Sequence, residues 1–132
     1  MGVREQLGVH MKITYKNRDN LRHRCDAVIH NGVAYLSGVI PTDASADMLT
    51  QTAQVLAQLD ERLAEVEGSK EGILYATIWM KDVDRDVATF NTLWNEWVAP
   101  GRAPARSCIG STVQRGMLLE VALTVAVSTS GA

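Results

Sequence analysis

The alternation of apolar and polar positions predicts six strands and two helices. Helices are predicted at 47–67 and 84–98, where apolar residues recur at steps of three and four. The pair Asn31-Gly32 lies between two apolar runs, which is the strongest short-range signal for a β-hairpin. The strands are expected at 12–15, two within the hairpin at 26–38, and one each at 73–80, 106–113 and 118–127.

The two helices carry their own boundary signals. Ser45 or Asp47 is expected to cap the first helix, and Gly68 is expected to end it. Pro100-Gly101 ends the second helix. The predicted inward face of the first helix consists of Leu49, Thr52, Leu56, Leu59, Leu63 and Val66. The second presents Val87, Phe90, Leu93, Trp94 and Trp97.

This element order predicts an α+β fold in which two helices cover one face of a mixed sheet. The last strand has Val121 and Leu123 on one side and Ala122 and Thr124 on the other, so neither side is charged. No further helix remains to cover the second face. A second copy of the same sheet is the simplest cover, so we expect a homo-oligomer with a site in the cleft between subunits.

Size and composition fit one globular domain spanning residues 1–132. The chain is 46% hydrophobic and 21% charged, and its net charge of −2 gives no electrostatic case for nucleic acid or an anionic membrane. No apolar run is long enough to cross a bilayer, and the first residues lack an export signal, so we expect a cytoplasmic protein.

Cysteine and histidine usage argues against a disulfide framework and a metal site. Cys25 and Cys108 are far apart in sequence, and Cys25 is expected to be inert packing. The three histidines, His10, His23 and His30, lack metal-ligand spacing.

Two charged residues lie in otherwise apolar predicted strands. Arg106 begins the fifth strand and Glu120 lies inside the sixth, and a charge in a core strand is costly unless it is paired. Arg106 can grip a carboxylate in a bidentate fashion, and Glu120 can orient or deprotonate a water. The pair therefore indicates a site for a small anionic substrate. A structural ion pair between the two residues is the alternative, with about equal weight on the residues alone.

Neighbouring residues add to this interpretation. Cys108 follows Arg106 by two positions, so both side chains share one strand face, and the guanidinium is expected to lower the thiol pKa. Buried packing is the alternative for Cys108, and we favour a residue that lines the site over a nucleophile. Asn91, beside Phe90, is expected to satisfy buried backbone groups.

Several segments together resemble the RidA/YjgF family, the reactive intermediate deaminases, from about Cys25 to Val127. The segments that carry the resemblance are Tyr35-Leu36-Ser37-Gly38-Val39-Ile40-Pro41, Gln51-Thr52-Ala53-Gln54-Val55-Leu56, Ala76-Thr77-Ile78-Trp79-Met80-Lys81-Asp82, Phe90-Asn91-Thr92-Leu93-Trp94, Pro104-Ala105-Arg106-Ser107-Cys108 and Leu119-Glu120-Val121.

The resemblance implies a chorismate-mutase-like α+β fold, assembled as a homotrimer with three sites at subunit interfaces. It also implies hydrolysis of 2-imino or 2-enamino acids, such as 2-iminopropanoate, to 2-keto acids and ammonia without a cofactor. Carried over, Arg106 holds the substrate carboxylate and Glu120 orients the water. The positions matching the family's pocket lining are Ser37, Gly38, Asn91 and Cys108.

The chain departs from the family pattern before the hairpin, where a Tyr closes over the ligand. An ungapped count from Ser37 places Arg24 there, so Arg24 is a candidate ligand for an extra anionic group on the substrate. A non-catalytic carboxylate-binding or regulatory trimer and a different catabolic hydrolysis are therefore alternatives. A nucleic-acid role is disfavoured, because the basic residues at 12–24 are expected to form a solvated segment.

Overall fold

The computed structural model describes residues 12–128. Residues 1–11 and 129–132, which include His10 and the segment expected to lack an export signal, lie outside the described residues. The elements are β1 (Thr14–Lys16), β2 (Ala27–His30), β3 (Val33–Leu36), α1 (Met48–Glu65), β4 (Ile73–Met80), α2 (Val83–Trp97), β5 (Ala105–Gly110) and β6 (Leu119–Ala126). The predicted element order is confirmed.

The six strands form one mixed sheet in the order β1-β2-β3-β6-β4-β5. Only the β4–β5 pair is parallel within the described sheet, and α2 provides its crossover. β6 lies in the centre, hydrogen-bonded to β3 on one side and β4 on the other, and β5 is an edge strand. The α+β class is therefore confirmed.

The predicted hairpin joins β2 to β3 through Asn31 and Gly32. Both residues have positive φ, 51° and 76°. A two-residue turn with positive φ at both positions has the twist that matches two antiparallel strands. The register places Val28 opposite Tyr35.

The predicted N-cap of α1 is confirmed, whereas the end of the helix differs from the prediction. Asp47 caps the helix by accepting a hydrogen bond from the Thr50 N–H at 2.9 Å. The helix ends before Gly68, and the left-handed residue is Glu67, with φ of 55°. The Gly68 N–H donates to the Leu63 carbonyl at 2.9 Å, which closes a Schellman motif with glutamate where glycine is usual.

Both helices pack on one face of the sheet and form the core with it. Ala76, Ile78 and Met80 of β4 are fully buried on that face, as are alternate residues of β6. One predicted core position is wrong: Leu49 is 49% exposed. Met48 and Gln51 take the inward positions in the first turn of α1, so the apolar stripe passes to one side of Leu49.

Three glutamines of α1 hold the segment that follows β3. Gln51 accepts a hydrogen bond from the Leu118 N–H at 2.8 Å, so it also ties α1 to the start of β6. Gln54 accepts from backbone N–H groups at 42–43, and Gln58 donates to the Ile40 carbonyl. These bonds fix the path of the chain immediately after the Ser37-Gly38 segment.

The second face of the sheet, called the open face below, has no helix over it. Its exposed side chains include Tyr15, Tyr35 and Ile109, which are 61%, 52% and 45% exposed. The strand register puts three rows of side chains across it: Tyr15-Val28-Tyr35-Thr124-Tyr75, Ala122-Thr77-Ser107 and Glu120-Trp79-Ile109. Among the described residues, no helix is long and apolar enough to span a membrane.

Candidate functional site

Arg106 lies on the helix-covered side of the edge strand β5. Its register partner on β4 is Ala76, which is fully buried under the helices. The guanidinium carbon lies over the ring of Phe90 from α2, 5.7 Å from the ring centroid. Within residues 12–128, the side chain of Arg106 has no ion pair and no hydrogen bond. Its donors are therefore available to a ligand.

Asn91 lies on α2 directly after Phe90, which is the residue that contacts Arg106. Its Oδ1 atom is buried and has no hydrogen-bond partner among the described residues. The expectation that Asn91 satisfies buried backbone groups is therefore wrong for this oxygen. A buried acceptor without a partner is costly, so it is suited to an N–H or O–H donor from a bound molecule.

Cys108 shares its strand face with Arg106, as predicted, and packs against the core. Burial raises the pKa of the thiol above its ordinary value of 9.0, and the charge of Arg106 offsets this only in part. The predicted lowering of the thiol pKa is wrong because desolvation of the thiolate outweighs the nearby positive charge. A protonated thiol at neutral pH is a lining residue and a poor nucleophile.

Glu120 lies on the open face, opposite Trp79 of β4. The residue is half-buried, and its side chain has no hydrogen bond or ion pair within residues 12–128. Burial raises the pKa of the Glu120 carboxyl above its ordinary value of 4.5. Gly38 makes room for this carboxylate, because a Cβ atom at position 38 would lie 2.1 Å from Glu120 Oε2.

The structure does not bring Arg106 and Glu120 of one chain together. They project from opposite faces of the sheet, and no ion pair joins them in the described structure. The structural ion pair, the alternative interpretation of these two residues, is therefore absent. The candidate residues instead fall into two groups: the arginine cluster, which is Arg106 and Cys108 on one strand face together with Asn91, the residue that follows Phe90 in sequence, and the glutamate cluster, which is Glu120 and Gly38.

Ser37 adjoins the glutamate cluster through the backbone. Its hydroxyl donates to the carbonyl of Cys25 at 2.6 Å, and its N–H donates to the carbonyl of Asp26 at 2.9 Å. These bonds tie the Ser37-Gly38 segment to the residues that precede β2. The Ser37 hydroxyl thus fixes the loop that faces Glu120.

Arg24 lies in that preceding segment and is paired with Asp26 at 3.0 Å. Asp26 is 3% exposed, also accepts from the Arg18 N–H at 3.0 Å, and lies 3.8 Å from Arg62 Nη2. The basic segment is exposed, as expected, since Arg18, Arg22 and Arg24 all reach solvent, and Arg18 also pairs with Glu65. Arg24 keeps a largely exposed side chain, and its role toward a substrate stays a prediction.

Metal-ligating residues do not gather in the part of the chain that the structure describes. No group of three or more His, Cys, Asp or Glu side chains there is placed to hold a metal ion. The two clusters themselves present a guanidinium, an amide oxygen, a thiol and a carboxylate with a raised pKa.

One functional contact, between Phe90 and Arg106, was missed by the sequence analysis. Phe90 falls on the apolar stripe of α2, so the pattern assigns it to the core alone. The steric role of Gly38 was missed as well, because it depends on the pairing of Val39 with Val121 across the sheet. Neither contact leaves a signal in a local pattern.

The fold is that of a small α+β protein whose sheet carries two charged side chains, Arg106 and Glu120, without hydrogen-bond or ion-pair partners among residues 12–128. A family model described as Endoribonuclease L-PSP matches residues 20–127. The chain is 38% identical over 104 residues to a RutC family protein of Haemophilus ducreyi, covering 78% of this chain and 88% of the relative. It is 43% identical over 93 residues to the RutC family protein YoaB of Escherichia coli K12, covering 70% and 76%.

Solved structures agree with these relatives. A YjgF family member from Neisseria meningitidis is 36% identical, with a TM-score of 0.83, over 92% of this chain and 99% of that one. A putative translation initiation inhibitor from Salmonella typhimurium is 30% identical, with a TM-score of 0.76, over 88% and 98%. The chain belongs to the RutC/YjgF family, and the resemblance found in its sequence is confirmed.

Proposed function

We propose that this protein hydrolyses reactive 2-imino and 2-enamino acids to 2-keto acids and ammonia. The observation that carries the proposal is the guanidinium of Arg106, half-buried over Phe90 with no anionic partner within residues 12–128. A half-buried guanidinium without an anionic partner can donate two parallel hydrogen bonds to a carboxylate, and every 2-imino acid carries a carboxylate.

The two clusters act on one substrate when they come from different subunits. The arginine cluster of one copy faces the glutamate cluster of its neighbour across an interface formed with the open face. The exposed aromatic side chains of that face, Tyr15 and Tyr35 among them, favour its burial against another copy. A closed ring of three copies repeats this contact three times, so the proposal includes a homotrimer with three sites.

In the proposed reaction, Arg106 binds the substrate carboxylate and thereby fixes the imine carbon. The buried Oδ1 of Asn91 accepts a hydrogen bond from the imine N–H. Glu120 takes a proton from the attacking water as the C–O bond forms, and this proton returns to nitrogen. The resulting carbinolamine then passes its hydroxyl proton to the nitrogen, and the C–N bond breaks as the C=O bond forms, so that imine and water become keto acid and ammonia. No cofactor takes part.

The raised pKa of Glu120 suits this exchange, because a carboxyl that titrates nearer neutral pH accepts and returns a proton more readily. Acid–base help of this kind contributes on the order of a hundredfold to ten-thousandfold in rate. The substrate already reacts with water unaided, so capture and one positioned proton acceptor are sufficient.

Imine hydrolysis tests the proposal directly. An amino-acid oxidase generates 2-iminopropanoate in place, and semicarbazide traps the imine that remains. We expect wild-type protein to accelerate imine loss, Arg106→Ala to abolish the acceleration, and Arg106→Lys to restore little, since lysine lacks the bidentate fork. Exposed Arg102→Ala is the matched control and keeps full activity.

The alternatives are separated by two further measurements. A folded wild-type protein that binds pyruvate without accelerating imine loss is a carboxylate-binding trimer, and the proposed activity is then wrong. Cleavage of RNA in place of imine hydrolysis would instead support the activity that the family description names.

A further inference from the structure

We infer that Phe90 is a positioning residue, whose ring holds the Arg106 guanidinium in the orientation that receives the substrate carboxylate. The inference rests on the proposed function and names a determinant of substrate binding within it. It starts from the contact between the two side chains, with Arg106 Cζ 5.7 Å from the centroid of the Phe90 ring.

Phe90 is the first ring of an aromatic column formed by Phe90, Trp94 and Trp97 along one side of α2. Phe90 is 0% exposed and stacks on Trp94 with ring centroids 5.4 Å apart. Trp94 in turn contacts Trp97, also at 5.4 Å. Residues four and three apart on a helix share a face, so the helix itself fixes this spacing.

The far end of the aromatic column is anchored by polar groups. The Trp97 indole N–H donates to Asp60 Oδ1 of α1 at 3.0 Å. Lys70 Nζ lies 4.8 Å from the Trp97 ring and 3.7 Å from the same Asp60 oxygen. The column therefore has a cation at each end, and its rings are held by packing and by an inter-helix hydrogen bond.

This support matters because nothing else in the described structure holds the Arg106 guanidinium. A long side chain without partners samples several rotamers, and ordering it on ligand binding costs affinity. A ring beneath the guanidinium attracts the cation through its negative face and limits those rotamers. A contact with a ring uses none of the N–H groups of the guanidinium as hydrogen-bond donors, so they stay available to a carboxylate.

Shape and ring electrostatics can be separated by experiment. Phe90→Leu removes the aromatic ring, whereas fluorinated phenylalanines at position 90 keep its size and weaken its negative face. Leu63→Ala is the packing control, because Leu63 is buried in α1 and belongs to neither cluster. The readouts are the Kd for pyruvate, measured by NMR titration, and kcat and KM for 2-iminopropanoate hydrolysis.

We expect Phe90→Leu to weaken pyruvate binding by about two- to tenfold and to raise KM by a similar factor, with kcat nearly unchanged. Progressive fluorination is expected to weaken binding in steps, while Leu63→Ala lowers stability and leaves both constants unchanged. If Phe90→Leu does not fold, the fluorinated series alone decides.

Unchanged Kd and KM across the fluorinated series would overturn the inference and leave the proposed function intact. An equal loss of affinity in Leu63→Ala would also overturn it, since general destabilisation would then account for the effect. If wild-type protein neither binds pyruvate nor hydrolyses imines, the proposed function itself fails, and the inference fails with it.

Discussion

Arg106 and Glu120 point away from each other across the same sheet. Arg106 lies opposite Ala76 of β4, and Glu120 lies opposite Trp79, three residues further along that strand. The odd offset puts them on opposite faces, about 10 Å apart along the strand direction. A three-carbon substrate cannot touch both residues of one chain, which is why the proposed site needs two subunits.

Mixed assemblies of two inactive variants are expected to regain activity. The Arg106→Ala variant keeps Glu120, and the Glu120→Gln variant keeps Arg106. A complete site therefore forms at an interface where Arg106 comes from the Glu120→Gln variant and Glu120 comes from the Arg106→Ala variant. Co-refolding equal amounts should yield about a quarter of the wild-type sites when three copies assemble at random in a ring. The rate of 2-iminopropanoate hydrolysis measures the recovery.

The controls for this mixture are each variant refolded alone, which should stay inactive. A mixture that remains as inactive as its components would show that one chain supplies the whole site.

Gly38→Ala is expected to displace the carboxylate of Glu120, because the new Cβ would lie 2.1 Å from Oε2. Activity should fall on the order of a hundredfold, as expected when an acid–base group is misplaced. The double variant Gly38→Ala/Glu120→Gln should be no worse than Glu120→Gln alone, since both changes act on one group. A fully additive loss in this cycle would contradict the steric role of Gly38.

Glu120→Gln is expected to be more stable than wild type at neutral pH. Burial raises the carboxyl pKa above 4.5, so the native state binds this proton more tightly than the unfolded chain does. That contribution is fully present below pH 4.5 and is lost as the pH rises through the raised pKa. Urea unfolding at fixed protein concentration should therefore show an advantage for the variant that grows from pH 4 to pH 7.

The exposed Glu96→Gln serves as the control for this comparison and should show no such trend. A Glu120→Gln advantage that grew as the pH fell would mean that the charged form is favoured in the folded protein.

Tyr35→Glu is expected to break the proposed trimer, because it puts a charge in the centre of the open face. Imine hydrolysis should be lost together with the trimer, although Arg106 and Glu120 are untouched. Sedimentation velocity gives the assembly state. Leu49→Glu, at an exposed apolar residue on the helix side, should remain trimeric and active. A fully active Tyr35→Glu monomer would rule out the two-subunit site.

Asp26→Asn is expected to lower the free energy of unfolding by about 2 kcal/mol. This loss is smaller than that for a fully buried ion pair, because the side chain of Arg24 is partly exposed. Burial alone would raise the pKa of Asp26, but the Arg18 N–H and the charges of Arg24 and Arg62 outweigh it and hold the pKa below 3.8. The stabilisation is present above pH 3.8 and is lost as the pH falls through the lowered pKa.

Denaturant unfolding of Asp26→Asn beside the exposed Asp19→Asn measures the difference. The Ser37 bond to the neighbouring Cys25 carbonyl also depends on this segment, so imine hydrolysis should fall with stability. Equal stability of the two variants above pH 5 would contradict the importance of the buried carboxylate.

Local sequence patterns were sufficient for the elements of this fold. The Asn31-Gly32 pair and the spacing of apolar residues in both helices identified structures that form from near neighbours. Where the pattern failed, a non-local contact was responsible. β5 was predicted to continue to Val113, but the strand ends at Gly110. Val113 is nevertheless buried, in the connection to β6.

The sequence names candidate site residues, but it does not give the geometry that relates them. Alternation gives the face that Arg106 shares with Cys108, but relating that face to Glu120 requires the register of β4 with both neighbours. The thiol pKa of Cys108 and the pairing of Arg24 with Asp26 also depend on burial and on contacts made after folding.

The central place of β6 has a consequence for biosynthesis. A ribosome releases the N-terminal strands first, so the β1-β2-β3 meander and the β4-α2-β5 unit both emerge while the strand that joins them is still absent. Until β6 inserts, each half presents an unpaired edge. Glu120 arrives on that same strand, so a nascent chain acquires its proposed proton acceptor only in the step that closes the sheet.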